Sequence, residues 1–193
     1  MKKKLFWIKS SVIFIILVLL DQVTKMLAYN HLRQREPVPI IKDVFELQYL
    51  ENQSAAFGKD PITIINYFFH MFDNDQEGFL RAKMIFLSVL TFVVFLLVIV
   101  LLNKIPDTKR FAVLNYALVV FEAGAIGNLI DRVWHNYVID FFYFKLINFP
   151  IFNVADIYVT CTAFLFIFLG FYYKEEDFAL IFPPKKKKET NHE

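Results

Sequence analysis

Two aspartates stand at the edges of apolar stretches, Asp140 within Tyr137-Val138-Ile139-Asp140-Phe141-Phe142 and Asp156 within Phe152-Asn153-Val154-Ala155-Asp156. A carboxylate in or beside bilayer hydrocarbon is costly, so such residues face a partner, a water-filled cavity or a reaction. Sixteen residues separate the two, enough for a short loop to bring one back beside the other. Held close, they cannot both ionise cheaply, and the pair would keep a shared proton. One carboxylate could then activate a water while the other protonates a carbonyl, the chemistry of aspartic peptide hydrolysis. Spacing alone leaves an equal alternative, structural ion pairing with Arg132 or Lys145.

Three further constellations bear on that choice. Asp21-Gln22-Val23-Thr24-Lys25 closes an apolar run, and Asp21 and Lys25, four apart, share a helix face and can pair. The plain alternative there is an interfacial ion pair that ends a span. Asn52-Gln53-Ser54-Ala55-Ala56-Phe57-Gly58 follows a strand-like stretch with small side chains that let a peptide or lipid approach the backbone, or simply form a surface turn. Ala123-Gly124-Ala125-Ile126-Gly127-Asn128-Leu129-Ile130-Asp131-Arg132 combines small residues that permit tight helix packing in lipid with Asn128 and Asp131 on one face. Arg132 adds donors suited to a peptide carbonyl or a carboxylate. A structural hydrogen-bond cluster is the competing reading, and by spacing Asp131 is as tempting a reactive group as the first two.

Other proteolytic chemistries fit less well. There is no H-E-x-x-H, and His31, His70, His135 and His192 are not spaced as zinc ligands. No G-x-S-x-G occurs. The single cysteine, Cys161, excludes an internal disulfide and a cysteine-based metal cluster, and its apolar surroundings suggest a buried, inert thiol. No metal and no cofactor are expected, and no Gly-rich phosphate loop or internal repeat is present.

The elements that must position these residues read as membrane helices. The 193 residues are 57% apolar, with 24 Phe and 9 Tyr, and the apolar residues come in blocks. A mean hydropathy of +0.45 is too high for an ordinary soluble domain. Four segments are long and apolar enough to cross hydrocarbon, at about 5–29, 84–102, 111–130 and 151–173. Pro150 is expected in the first turn of the last, where a missing N–H loses nothing. The first resembles a signal peptide after Lys2-Lys3-Lys4, but no small-x-small cleavage site follows, so it reads as an uncleaved span.

Lysine and arginine flank the spans unevenly. Lys2, Lys3, Lys4 and Lys9, then Lys104, Lys109 and Arg110, then Lys174 and Lys185 to Lys188 fall in three segments that an even number of spans puts on one side. That side is expected to be the cytoplasm. The outer side then holds a segment of mixed charge at about 36–58 with partial period-two alternation, read as a small β-sheet cradle on the membrane surface. Residues 62–72 suggest a short interfacial helix, 73–78 a polar loop, and 175–193 a disordered basic cytoplasmic tail. The fold class is thus an integral membrane, mainly α protein.

Five motifs in order, D-Q-x-T-K (Asp21–Lys25), N-x-[GS]-A-A-F (Asn52–Phe57), G-N-L-I-D-R (Gly127–Arg132), V-I-D-F (Val138–Phe141) and F-N-x-A-D (Phe152–Asp156), resemble lipoprotein signal peptidase, the type II signal peptidase of bacteria. The resemblance covers about residues 5–174. It implies a four-helix membrane aspartic endopeptidase with an extracytoplasmic cradle, in the bacterial inner membrane. Its substrates would be diacylglyceryl-modified prolipoproteins, cleaved N-terminal to the lipidated cysteine. By motif match it implies Asp140 and Asp156 as the catalytic dyad. Asn52, Asn128, Arg132 and Asn153 would bind substrate or order the site, and Asp21, Lys25 and Asp131 would support it. Beyond substrate and membrane lipids no partner is implied, nucleic acid least of all.

Two departures stand out. Members commonly have Gly where Ser54 stands, and Gly four residues before the loop aspartate, where this chain has Asn136. Asparagine tolerates a left-handed backbone best among non-glycine residues, so that turn can survive. Two rival readings remain, a small transporter or ion-conducting protein and a non-catalytic scaffold. A transporter would place polar groups deep in spans toward both faces, whereas here they cluster toward one.

Overall fold

The computed structural model describes residues 2–53, 61–69, 71–72 and 75–183. Four long helices carry the chain across the apolar layer: α1 (Lys2–Leu32), α3 (Gln76–Lys104), α4 (Ala112–His135) and α5 (Val154–Tyr172). Each is long and apolar enough to span a membrane. Between them lie strands β1 (Val38–Ile41) and β2 (Phe45–Asn52), the nine-residue helix α2 (Pro61–Phe69), strand β3 (Val138–Tyr143) and a final helix α6 (Glu175–Ile181).

The most apolar stretch of α4 is half buried, against 17% for each of the other three long helices. It is therefore the central helix, with α1, α3 and α5 packed around it. Its small residues make this possible. A Cβ added at Gly124 would come within 2.6 Å of the Ala155 carbonyl of α5, and one at Gly127 within 2.5 Å of Asp21 Oδ2 on α1. The outward faces, such as Ile15, Ile16 and Leu19 on α1 or Phe164, Phe168 and Phe171 on α5, are exposed and apolar, as lipid contact requires.

The three strands form an antiparallel sheet in the order β1-β2-β3. Asp140 pairs with Leu50 and Val138 with Asn52, with an irregularity between Leu47 and Leu50. Ile139 and Phe141 point from β3 onto Ala28 and Leu32 of α1, forming a small core beneath the sheet. By the alternation of a strand, Asp140 faces the other way. A bridge between Phe142 and Phe152 then leads the chain back to the start of α5.

Several expectations are corrected. The last long helix starts at Val154, capped by Asn153, so Pro150 lies before it rather than in its first turn. Gln76-Glu77-Gly78 is the start of α3 and not loop, because the Asp75 carboxylate caps it by accepting the Gly78 N–H at 2.8 Å. Residues 175–181 of the expected disordered tail form α6. Glu175, Glu176 and Asp177 favour the positive end of a helix. The Arg110 guanidinium also grips Asp177 through both carboxylate oxygens at 2.6 and 3.0 Å, holding that carboxyl down to about 2. Cys161 is exposed on the outer face of α5 rather than buried. The remainder of the tail, from 184, and the Ser54–Gly58 part of the small-residue block lie outside the described residues.

Candidate active site

The start of α5 fixes one aspartate. Asn153 Oδ1 accepts the Asp156 N–H at 2.9 Å, and Asp156 Oδ2 accepts the Asn153 N–H at 3.1 Å. This reciprocal capping box satisfies two backbone donors and holds the carboxylate at the positive end of the helix. The β-sheet fixes the other. Asp140 sits mid-strand on β3 and is 1% exposed.

Asn153 joins the two. While its backbone serves Asp156, its side-chain Nδ2 donates to Asp140 Oδ1 at 2.6 Å. Asn52, at the end of β2, donates to Asp140 Oδ2 at 2.8 Å, and Asn128 of α4 donates to Asp156 Oδ1 at 2.8 Å. Every oxygen of both carboxyls thus accepts one N–H, and four elements of the fold converge on the pair. Burial first and the charge of Asp156 second push the Asp140 carboxyl up to about 7, outweighing the hydrogen bonds from Asn52 and Asn153 and the charge of Lys25. A carboxyl placed there is neutral over much of the range where an ordinary aspartate is ionised.

A second layer holds the first. Lys25 Nζ lies 2.9 Å from Asp21 and 3.0 Å from Asp131, and donates to Asn128 Oδ1 at 2.9 Å. Asn128 also accepts from Asn153 Nδ2 at 3.0 Å, so its carbonyl oxygen takes two donors and its amide hydrogens are turned toward Asp156. Asp21 Oδ1 accepts the Ala155 N–H at 2.8 Å, binding α1 to the first turn of α5. Asp131 Oδ2 accepts the Ile139 N–H at 3.1 Å, which fastens β3 one residue before Asp140.

Arg132 lies against this cluster, its charge acting on Asp156, Asp131 and Asp140. Its buried Nε has no hydrogen-bond partner among the described residues. Lys145, the other cation considered as a structural partner of the aspartates, instead pairs with Glu46 at 3.2 Å. The structure therefore brings Asp140, Asp156, Asn52, Asn128 and Asn153 into one hydrogen-bonded group, with Asp21, Lys25 and Asp131 behind it and Arg132 at its side. Among the described residues no cluster of three or more His, Cys, Asp or Glu is arranged to hold a metal ion.

Gln22 belongs to the site as well, and the sequence reading passed over it. Its amide nitrogen contacts the Gly127 carbonyl at 3.0 Å and Asp131 Oδ1 and Asp21 Oδ2 at 3.2 Å. Its place between Asp21 and Lys25 was the available signal, since a polar residue that deep in an apolar run needs partners. Asn136 takes the left-handed conformation expected of it, at φ 60°, ending α4 and turning the chain into β3.

A sequence profile described as signal peptidase (SPase) II matches residues 13–172. The chain belongs to the signal peptidase II family. It is 39% identical over 166 residues to the lipoprotein signal peptidase of Caldanaerobacter subterraneus subsp. tengcongensis, covering 83% of this chain and 97% of that one. With the lipoprotein signal peptidase of Clostridium tetani it shares 35% over 162 residues, covering 82% and 90%. A bacterial membrane enzyme solved by the in meso method at 2.3 Å superimposes with a TM-score of 0.67 at 26% identity, covering 94% of this chain and 93% of that one. The family is one of proteases, and the four apolar helices make this member a multi-pass membrane protein. Nothing in these likenesses favours the transporter.

Proposed function

We propose that this chain removes the signal peptide of diacylglyceryl-modified prolipoproteins, cleaving N-terminal to the lipidated cysteine, with Asp140 and Asp156 as an aspartic dyad. The observation that carries this reading is Asn153, which contacts both carboxyls at once and so holds them as a pair. Coupled carboxyls share a proton, and burial together with the charge of Asp156 assigns it to Asp140.

Asp156, at the more open position, takes a proton from a water whose oxygen attacks the scissile carbonyl carbon. Asp140 gives its proton to the carbonyl oxygen, forming a neutral gem-diol. On collapse a diol hydroxyl returns its proton to Asp140, the C–N bond breaks, and the leaving amine takes the proton that Asp156 had gained. Arg132, with Asn52 and Asn128, orients the peptide. Lipid chains of the substrate stay in hydrocarbon while the peptide reaches the outer end of the bundle. No step calls for a metal.

The test is release of signal peptide from a diacylglyceryl-modified prolipoprotein by purified protein in detergent. Asp140→Asn and Asp156→Asn should each lower the rate by about 10³-fold or more while the protein stays folded. Activity that survives both single changes overturns the dyad.

A further inference from the structure

On the face of β2 turned away from the aspartates, Tyr49 and Glu51 meet the end of α1. Strand alternation sets this division: Asn52 shares a face with Leu50 and Asp140, whereas Glu51 lies opposite Ile139, which points onto α1. Glu51 Oε1 lies 3.2 Å from the guanidinium of Arg33, just past the end of α1, and accepts the Tyr49 hydroxyl at 3.2 Å. Arg33 donates in turn to the Tyr29 hydroxyl at 2.6 Å, and the Tyr29 and Tyr49 rings meet edge to face with centroids 6.2 Å apart. Tyr49 itself packs against the small core of Ala28, Leu32, Ile139 and Phe141. The residue after Glu51 is Asn52, the last of β2, which donates to Asp140 Oδ2 at 2.8 Å.

Strand ends are the first part of a sheet to loosen, and a hydrogen bond weakens steeply once its angle drifts. With side chains 40% and 34% exposed, the Arg33–Glu51 pair adds little to global stability, so its value lies in where it holds the chain. We infer that Glu51, clamped by Arg33 and Tyr49, is a positioning residue for the peptidase reaction, fixing the end of β2 so that Asn52 keeps its amide on Asp140; the inference rests on the dyad proposed above. The sign of the effect is distinctive. The Asn52 hydrogen bond favours ionised Asp140, so loosening Asn52 moves that carboxyl up and extends activity to higher pH. Glu51 acting only through its own negative charge would do the reverse, since removing that charge eases the ionisation of Asp140.

The test measures kcat/KM for signal-peptide release against pH, with the full chain in detergent, beside thermal melts. Asn52→Ala should move the alkaline limb up by about one pH unit, the worth of a hydrogen bond to a charged group. Glu51→Ala should move it the same way by about half a unit, with little change in the melt. Added to Asn52→Ala, it should move the limb no further, because the donor it positions is gone. A downward shift or none in Glu51→Ala while Asn52→Ala moves the limb, or a further shift in the double variant, overturns the positioning role and leaves the dyad standing. A limb unmoved in an active Asn52→Ala overturns the proton assignment to Asp140, and the positioning role with it. Tyr49→Phe, which changes no charge, should also move the limb up. It decides alone if Asn52→Ala is inactive or Glu51→Ala unfolded, and an unmoved limb there overturns the role.

Discussion

In the proposed dyad Asp140 is the member that holds the proton, since burial first and the charge of Asp156 second raise its carboxyl. With its carboxyl raised to about 7, a dyad that needs one neutral and one ionised member loses the neutral one as the pH rises past that value. The rate of signal-peptide release, measured as kcat/KM against pH, should therefore fall on the alkaline side of about pH 7, and a flat profile up to pH 9 would refute the assignment of the proton. The same shift has a consequence for stability. Between the ordinary aspartate value and about 7 the folded state binds more protons than the unfolded state, so stability declines as pH rises through that window. Thermal melts of the unaltered protein should fall from pH 4 to pH 7 more steeply than those of Asp140→Asn, which has no such group to titrate. Lys25 poses the opposite problem. Its ammonium is buried between Asp21 and Asp131, and Lys25→Met would strand two carboxylates without their cation. A loss of about 3–5 kcal/mol is expected, read from denaturation in detergent, whereas a surface ion pair would give less than 1.

Among the elements, α4 decides how closely the others can approach. Gly127→Ala would set a methyl 2.5 Å from Asp21 Oδ2, on a short side chain already bound to the Ala155 N–H, to Lys25 and to Gln22. Asp21 cannot step aside without releasing the first turn of α5, so a loss of about 1–3 kcal/mol is expected, together with reduced cleavage. Gly170→Ala on the open face of α5 meets nothing within 4 Å, and its melt should be unchanged or slightly higher. The contrast shows what could be read in advance. The four helices were legible because twenty apolar residues in a row have few other uses, and the small residues of α4 were legible as a packing face. The aspartates and asparagines were conspicuous because polar groups at the edges of such runs are costly. Strand β3 was not visible as a strand: Val138–Tyr143 has only one charged residue, and its state is fixed by pairing with β2, some 90 residues earlier in the chain. The start of α5 was misplaced because Pro150 is as compatible with a loop as with a first turn, and only the Asn153–Asp156 capping box settles it. The α6 helix hid in a charged tail because the partner that stabilises it, Arg110, is distant in sequence.

At the scale of the whole molecule, the two ends of the bundle differ in kind. One end carries the sheet, the asparagines and the aspartate pair. At the other, Lys3 donates to the Asn103 carbonyl at the end of α3, and Arg110, just before α4, clamps Asp177 beyond the end of α5. The N-terminus, the α3–α4 connection and α6 therefore share one end by direct contact, as four crossings require. We propose that this basic end faces the cytoplasm and the site faces outward, since lysine and arginine in short flanking segments are retained on the cytoplasmic side. Cysteine labelling decides the point. In a Cys161→Ala background, Leu146→Cys lies in the exposed connection between β3 and α5, and Thr108→Cys in the exposed connection between α3 and α4. A membrane-impermeant maleimide added to intact cells should label the first and leave the second unlabelled until the cells are lysed. The reverse pattern would put the aspartates on the cytoplasmic side, where an exported signal peptide no longer presents its cleavage site, and the proposed reaction would fail with the topology even if the geometry of the dyad were sound.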